Sequence, residues 1–213
     1  MRSSALVVIA ACGASAKPVA APAKGAVPAA HYAALFEAGK SWRYHVKAKI
    51  QMYEPDDPKA DASGQVIEDS EHDATCAVAE ARAWKGGVMS RVECDQAISD
   101  SNDPLTGAWV ADARGLWRVD ELPEKGDPDL ADARMVIASA PTAGKHEQKG
   151  TGDEEGFGES TEIVAEGSGW CVTYTSWGGD ESYDTLCFAG GVVRGAAGWA
   201  GGSSHETTFE LIR

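Results

Sequence analysis

Between Ser41 and Met52 apolar and polar residues alternate one for one. Trp42, Tyr44, Val46, Ala48, Ile50 and Met52 form one set; Arg43, His45, Lys47, Lys49 and Gln51 form the other. A period of two places successive side chains on opposite faces, so this segment reads as a half-buried strand with a wet, basic face. Shorter runs of similar character recur, each bounded by Gly, Pro, Asn or Asp. Segments 74–84 and 88–98 pair around Lys85-Gly86-Gly87, and Val78 should face Val92. Segment 107–121 reads as a hairpin, with Trp109 and Trp117 flanking a turn at 112–115. "MVIASA" (135–140) is an apolar run stopped by Pro141. Strands are further expected over 161–166, 169–177, 183–189, 191–199 and 206–213.

One segment has a helical period. In "PAAHYAALFEAG", Tyr32, Leu35 and Phe36 are three to four apart, Pro28 opens the segment and Gly39 stops it, which predicts a short helix over 29–38. Two segments lack either period. The acidic, Pro-bearing stretch 54–73 is expected to be a loop with at most a short strand at 65–67, and "AGKHEQKGTGDEEGFGES" reads mostly as loop and turn.

Together these runs predict a mainly β protein of about nine to eleven short strands. Short turns join successive strands, which favours an antiparallel meander over parallel βαβ units. So many twisted strands tend to curl, giving a curved sheet or barrel-like body with one short N-terminal helix; a two-sheet β-sandwich is the alternative. Residues 29–213 suffice for a single domain with one core. Residues 12–28, rich in Ala and Pro, have little to bury and read as a tether.

The start of the chain carries the most specific pattern. Met1 and Arg2 precede the apolar run Ala5 to Ala11. Seven helical residues rise only about 10 Å, far short of a hydrocarbon core of about 30 Å. A positive residue, a short apolar run and small residues describe a secretory leader, here residues 1–11. Ile9-Ala10-Ala11-Cys12 resembles the lipobox of bacterial lipoproteins. The resemblance implies cleavage before Cys12, diacylglycerol on its thiol, and attachment of the body to a membrane of the bacterial cell envelope by acyl chains. Gly13 follows Cys12, which by analogy with enterobacterial sorting favours the outer membrane. Two or three acyl chains hold a protein stably on a bilayer, whereas one gives marginal binding.

Cysteine count agrees with export. The five cysteines are Cys12, Cys76, Cys94, Cys171 and Cys187. With Cys12 acylated, four remain for disulfides in an oxidising compartment. Of the three possible pairings, Cys76–Cys94 and Cys171–Cys187 stand out. Each pair flanks a strand–glycine turn–strand segment, and folding at the turn places its cysteines opposite one another.

Charge and motif searches mostly exclude. The chain carries 33 acidic against 19 basic residues, a net charge of −14, which becomes −15 once Arg2 leaves with the leader. Such a body repels phosphate backbones, so no nucleic-acid partner is expected. No nucleotide-binding loop, zincin pair or nucleophile elbow occurs. Ser203, Ser204 and His205 adjoin, but adjacent strand residues face opposite ways and cannot form a triad by adjacency. The cysteine spacing does not suit structural zinc. No catalytic residue, metal site or cofactor is therefore assigned. Oxygen-rich loops such as "DSNDPLTG" would suit calcium chemically, but none follows an EF-hand pattern. The small residues Gly195, Ala196, Ala197 and Gly198 leave room for a close neighbour: the N-terminal helix, or a ligand groove lined by Trp170, Trp177 and Trp199.

The expectation is a lipid-anchored envelope lipoprotein whose disulfide-stabilised β-domain is a non-catalytic binding or scaffolding module for another envelope component. The alternatives are a carrier of an apolar ligand inside the curved sheet, and a secreted hydrolase using loop carboxylates.

Overall fold

The structure, a computed structural model, describes residues 30–52, 65–99, 103–150, 156–201 and 203–212. Twelve antiparallel strands form one sheet: β1 (Ser41–Met52), β2 (Gln65–Trp84), β3 (Gly87–Cys94), β4 (Gly107–Asp112), β5 (Gly115–Val119), β6 (Arg134–Ala138), β7 (Gly144–Lys149), β8 (Gly158–Glu166), β9 (Gly169–Trp177), β10 (Glu181–Phe188), β11 (Val192–Ala200) and β12 (Ser203–Leu211). Their lateral order is β6-β5-β4-β3-β2-β1-β12-β11-β10-β9-β8-β7. The sheet is therefore a meander cut into two halves, joined where β12 returns beside β1. It is not closed: β6 and β7, consecutive in the chain, are its two edges.

The β1 alternation is realised as read. Trp42, Tyr44 and Val46 are buried, while Arg43, Lys47 and Lys49 face water. Both halves of the sheet contribute to one apolar cluster. Val78, Val92, Trp109, Leu116 and Ile137 come from the first half; Val172, Leu186, Phe188, Val192 and Phe209 come from the second. The sheet must curl until its inner face meets itself. A smaller cluster of Met89, Ala108, Val110, Trp117, Val119 and Leu122 covers the outer face of β3–β5, with Leu130 and Ala133 of the loop beyond packed on it. Burial on both faces explains why β4 reads as a nearly unbroken apolar run.

The N-terminal helix is a correction. Residues 33–36 form a single four-residue 3-10 helix, not a helix over 29–38. Tyr32 offers no side-chain cap, and the Ala34 N–H donates to Gly190 O at 3.3 Å instead of continuing a helical ladder. The apolar positions are used as the period implied: Tyr32, Leu35 and Phe36 are buried, and the Tyr32 ring meets Phe188 edge-on.

Two further segments differ from the sequence reading. Residues 65–73 are not loop but the first half of β2. Their acidic side chains complement the basic face of β1: Arg43 Nη2 lies 2.6 Å from Asp73 Oδ2, and Lys47 Nζ 2.8 Å from Glu71 Oε1. His45 sits between Glu71 and Asp73. Residues 144–149 are the exposed edge strand β7, whose charged side chains have no period because neither face is buried. A charged edge discourages unwanted strand pairing.

Candidate functional site

Both disulfides follow from strand register. Cys76 is directly opposite Cys94 in the β2–β3 ladder, as Cys171 is opposite Cys187 in β9–β10, and both bridges are formed with Cα separations of 3.9 and 4.0 Å. Val78 faces Val92 as expected. The Cys76–Cys94 bridge belongs to the core, beside Trp42 in the adjacent ladder. The Cys171–Cys187 bridge is on the outer face, where Glu166 Oε2 approaches Cys171 Sγ at 2.9 Å and accepts from Arg194 Nη2 at 2.5 Å. Glu166, Cys171 and Cys187 bring ligand-type atoms within 4.8 Å of one another, but both sulfurs are spent in the bridge. Cys12 lies outside the described residues.

The three tryptophans are not brought together. Trp170 pairs with Phe188, whereas Trp199 pairs with Ser182, which pairs with Ser176. Trp170 and Trp199 thus share the inner face but are six strand residues apart, about 20 Å. Trp177 has the other parity and lies on the outer face, its indole over Gly158. The 3-10 helix does not fill the small-residue stretch either; it abuts Gly190 and Gly191. A Cβ on Gly195 would sit 2.4 Å from Phe209 Cζ, and one on Gly198 2.8 Å from Tyr183 Cε1. Neighbouring rings already occupy that room.

What the structure does bring together is polar. Leu116 and Arg118 share the inner face of β5, and Arg118 is opposite Arg134 at the edge strand β6. On the facing half, Asp184 of β10 is opposite Tyr174 of β9, with Ser176 opposite Ser182 two residues further on. Arg134 crosses between the halves: its Nη1 donates to Asp184 Oδ2 at 2.6 Å, and its guanidinium lies 4.4 Å over the Tyr174 ring. These groups, with Asp120 and Asp132, line a recess of about 330 Å³. It adjoins a groove of about 490 Å³, lined by Asp120, Glu121, Glu124, Asp129 and Asp132 of the loop covering β3–β5.

The lining divides into structural and available groups. Arg118 is structural. It donates to the carbonyls of Asp103, Pro104 and Thr106 and stacks over Trp109. Burial, with Arg134 nearby, lowers its pKa, while Asp103 and Asp184 oppose that shift. Asp103 is also consumed, accepting from the backbone N–H of Ile98, Leu105 and Thr106. Burial and the Glu159 carboxylate push the Tyr174 hydroxyl up to about 12, and the hydroxyl donates to Glu159 Oε2 at 2.6 Å. It is a neutral donor at physiological pH and not a base. Left without protein partners among the described residues are Arg134 Nε and Nη2, Asp184 Oδ1, and the carboxylates of Asp120 and Asp132. Ser176 and Ser182 hydrogen-bond each other at 2.8 Å and keep spare capacity.

Sequence reasoning missed this recess. The available signal was a charge at a position that period-two alternation assigns to the apolar face. Arg118 follows Leu116, and Asp184 precedes Leu186, each at a spacing of two. No family model, curated protein or solved structure matches this chain.

Proposed function

We propose that this chain is a lipid-anchored lipoprotein of the bacterial envelope, held to a membrane by acyl groups on Cys12 and favouring the outer membrane, and that its β-domain is a non-catalytic binding module. The leader Ile9-Ala10-Ala11-Cys12 supports the anchor. Four further cysteines that close into two register-matched disulfides suit an oxidising compartment. The curled sheet itself is read as a barrel with one seam left open between β6 and β7.

The observation that carries the binding role is the contrast between a packed interior and a polar recess. Trp109, Leu116, Leu186 and Phe188 fill the inner face with almost no solvent access, so the apolar core offers a carried lipid no support. The recess instead presents unpaired donors and acceptors on rigid strands, as small-molecule sites do. Of the described acidic residues in the stretch 54–73, Glu71 and Asp73 are tied to Lys47 and Arg43 on the face of β1, which argues against their use by a hydrolase.

Fractionation of cells expressing the full chain and Cys12→Ser tests the anchor. The native chain should sediment with membranes and the variant should be released. A variant that still partitions with membranes overturns the reading.

A further inference from the structure

We infer that the Arg134–Asp184 recess takes a saccharide, uncharged or amine-bearing, and rejects anionic ones. The inference deepens the binding-module reading and rests on it.

Three features set the chemistry. First, free capacity is mixed in kind. Arg134 keeps an N–H edge, Asp184 keeps Oδ1, and Ser176 and Ser182 offer hydroxyls, all on the inner face of adjoining or facing strands. A guanidinium edge donates to two neighbouring oxygens, and a carboxylate accepts from two neighbouring hydroxyls. A sugar ring carries vicinal hydroxyls that each donate and accept, so it satisfies both kinds of group together. A simple cation or anion satisfies only one.

Second, the groups are already held. Asp184 is 5% exposed and fixed by Arg134, whose own guanidinium is held against Tyr174. Tyr174 is fixed in turn by Glu159. A recess whose polar groups are oriented before the ligand arrives spends little on ordering them. The disulfide Cys171–Cys187 staples the same hairpin, β9–β10, that supplies Tyr174, Ser176, Ser182 and Asp184.

Third, the sign of the field excludes anions. Four carboxylates line the recess (Asp103, Asp120, Asp132 and Asp184) against two guanidiniums (Arg118 and Arg134), and the neighbouring groove is acidic with no cation among the described residues that line it. A uronic acid or phosphorylated sugar meets this field unfavourably, whereas a neutral or protonated amino sugar does not. The volume, about 330 Å³, suits one or two rings and falls at the small end of ligand sites, about 300–1,000 Å³.

Isothermal titration of the full-length protein in detergent micelles tests this. The probes are the tetramers of N-acetylglucosamine, glucosamine and galacturonic acid, with spermidine and Ca²⁺ as competitors. The first two saccharides should bind, and galacturonate at least tenfold more weakly. Asp184→Asn and Ser182→Ala should each weaken binding at least tenfold; Ser182→Ala, a small change at a partly exposed position, keeps the test valid if Asp184→Asn does not fold. Spermidine and Ca²⁺ should not displace bound saccharide. The inference is overturned by no saccharide binding, by equal binding of galacturonate, by binding indifferent to both substitutions, or by displacement by either cation. Cys12→Ser should leave saccharide binding unchanged, so failure of the anchor and failure of the ligand assignment are read separately.

Discussion

Arg134 and Asp184 join the two halves of the sheet. Arg134 opens the edge strand β6, Asp184 is in the interior of β10, and their side chains meet at 2.6 Å across the interior although seven strands lie between β6 and β10 round the meander's β1–β12 junction. The pair is the polar counterpart of the apolar contacts that bring Leu116 and Leu186 into one core.

Removing one partner leaves the other without its counter-charge. Asp184→Leu should cost about 3 kcal/mol, at the low end for a broken buried pair because Arg134 keeps 30% of its side-chain surface in water. Arg134→Met with Asp184→Leu should recover part of that loss, since two apolar groups leave no unpaired charge. Urea denaturation of the two single variants and the double variant measures the coupling. Additive losses would mean the pair contributes nothing as a pair.

Overpacking at Gly195 tests the filled interior. The added methyl of Gly195→Ala would lie 2.3 Å from Thr185 O and 2.4 Å from the Phe209 ring, so a shift of backbone or ring is required. A loss of about 1–3 kcal/mol is expected. If the variant is as stable as the parent in thermal melting, the room beside Phe209 is real and the packed-interior description fails.

Each disulfide closes a loop between cysteines 16 or 18 residues apart, worth about 3 kcal/mol in the chain-entropy description. Paired serine replacement of Cys171 and Cys187 should lower stability by about that amount. Replacement of Cys76 and Cys94 should cost more, because Cys76 packs in the apolar core, where a serine hydroxyl is cut off from water. Denaturant midpoints rank the two, and a non-reducing peptide map should contain 76–94 and 171–187 fragments. Equal or inverted costs would contradict the assignment of one bridge to the core.

Acid should weaken the fold through Asp112. Burial alone would raise its carboxyl. The hydrogen bonds from Arg114, Trp117 and Gly115 outweigh that and hold it below the ordinary carboxylate range. A carboxyl lowered on folding stabilises at pH above its unfolded value, about 4, and that contribution is lost as pH falls through the lower folded value. Parent protein should therefore lose stability below about pH 4 more steeply than Asp112→Asn, which is less stable at neutral pH. Parallel pH profiles for the two proteins would remove Asp112 from the account.

Much of this architecture was legible because the inner face obeys a period of two. The β1 alternation, the β4–β5 hairpin and both disulfide registers follow from strand parity and glycine turns. What was illegible depends on partners distant in sequence. The acidic run 68–73 resembles loop until the basic face of β1 is beside it. The β7 strand buries nothing, so no pattern marks it. The helical period at Tyr32, Leu35 and Phe36 reports burial correctly, but Ala34 spends its N–H on Gly190. The tryptophans show the limit most clearly: register assigns Trp177 to one face and Trp170 and Trp199 to opposite ends of the other, which composition cannot reveal. The recess draws on β6, β9 and β10, segments no local pattern connects.

The central claim is that sulfur 12 carries lipid. Mass spectrometry of the N-terminal peptide from membrane-extracted native protein tests it most directly. The expected species begins at Cys12 and is heavier than the bare peptide by a diacylglyceryl group, with or without a further acyl chain on the new amine. A peptide beginning at Met1 with an unmodified thiol at Cys12 would contradict the account.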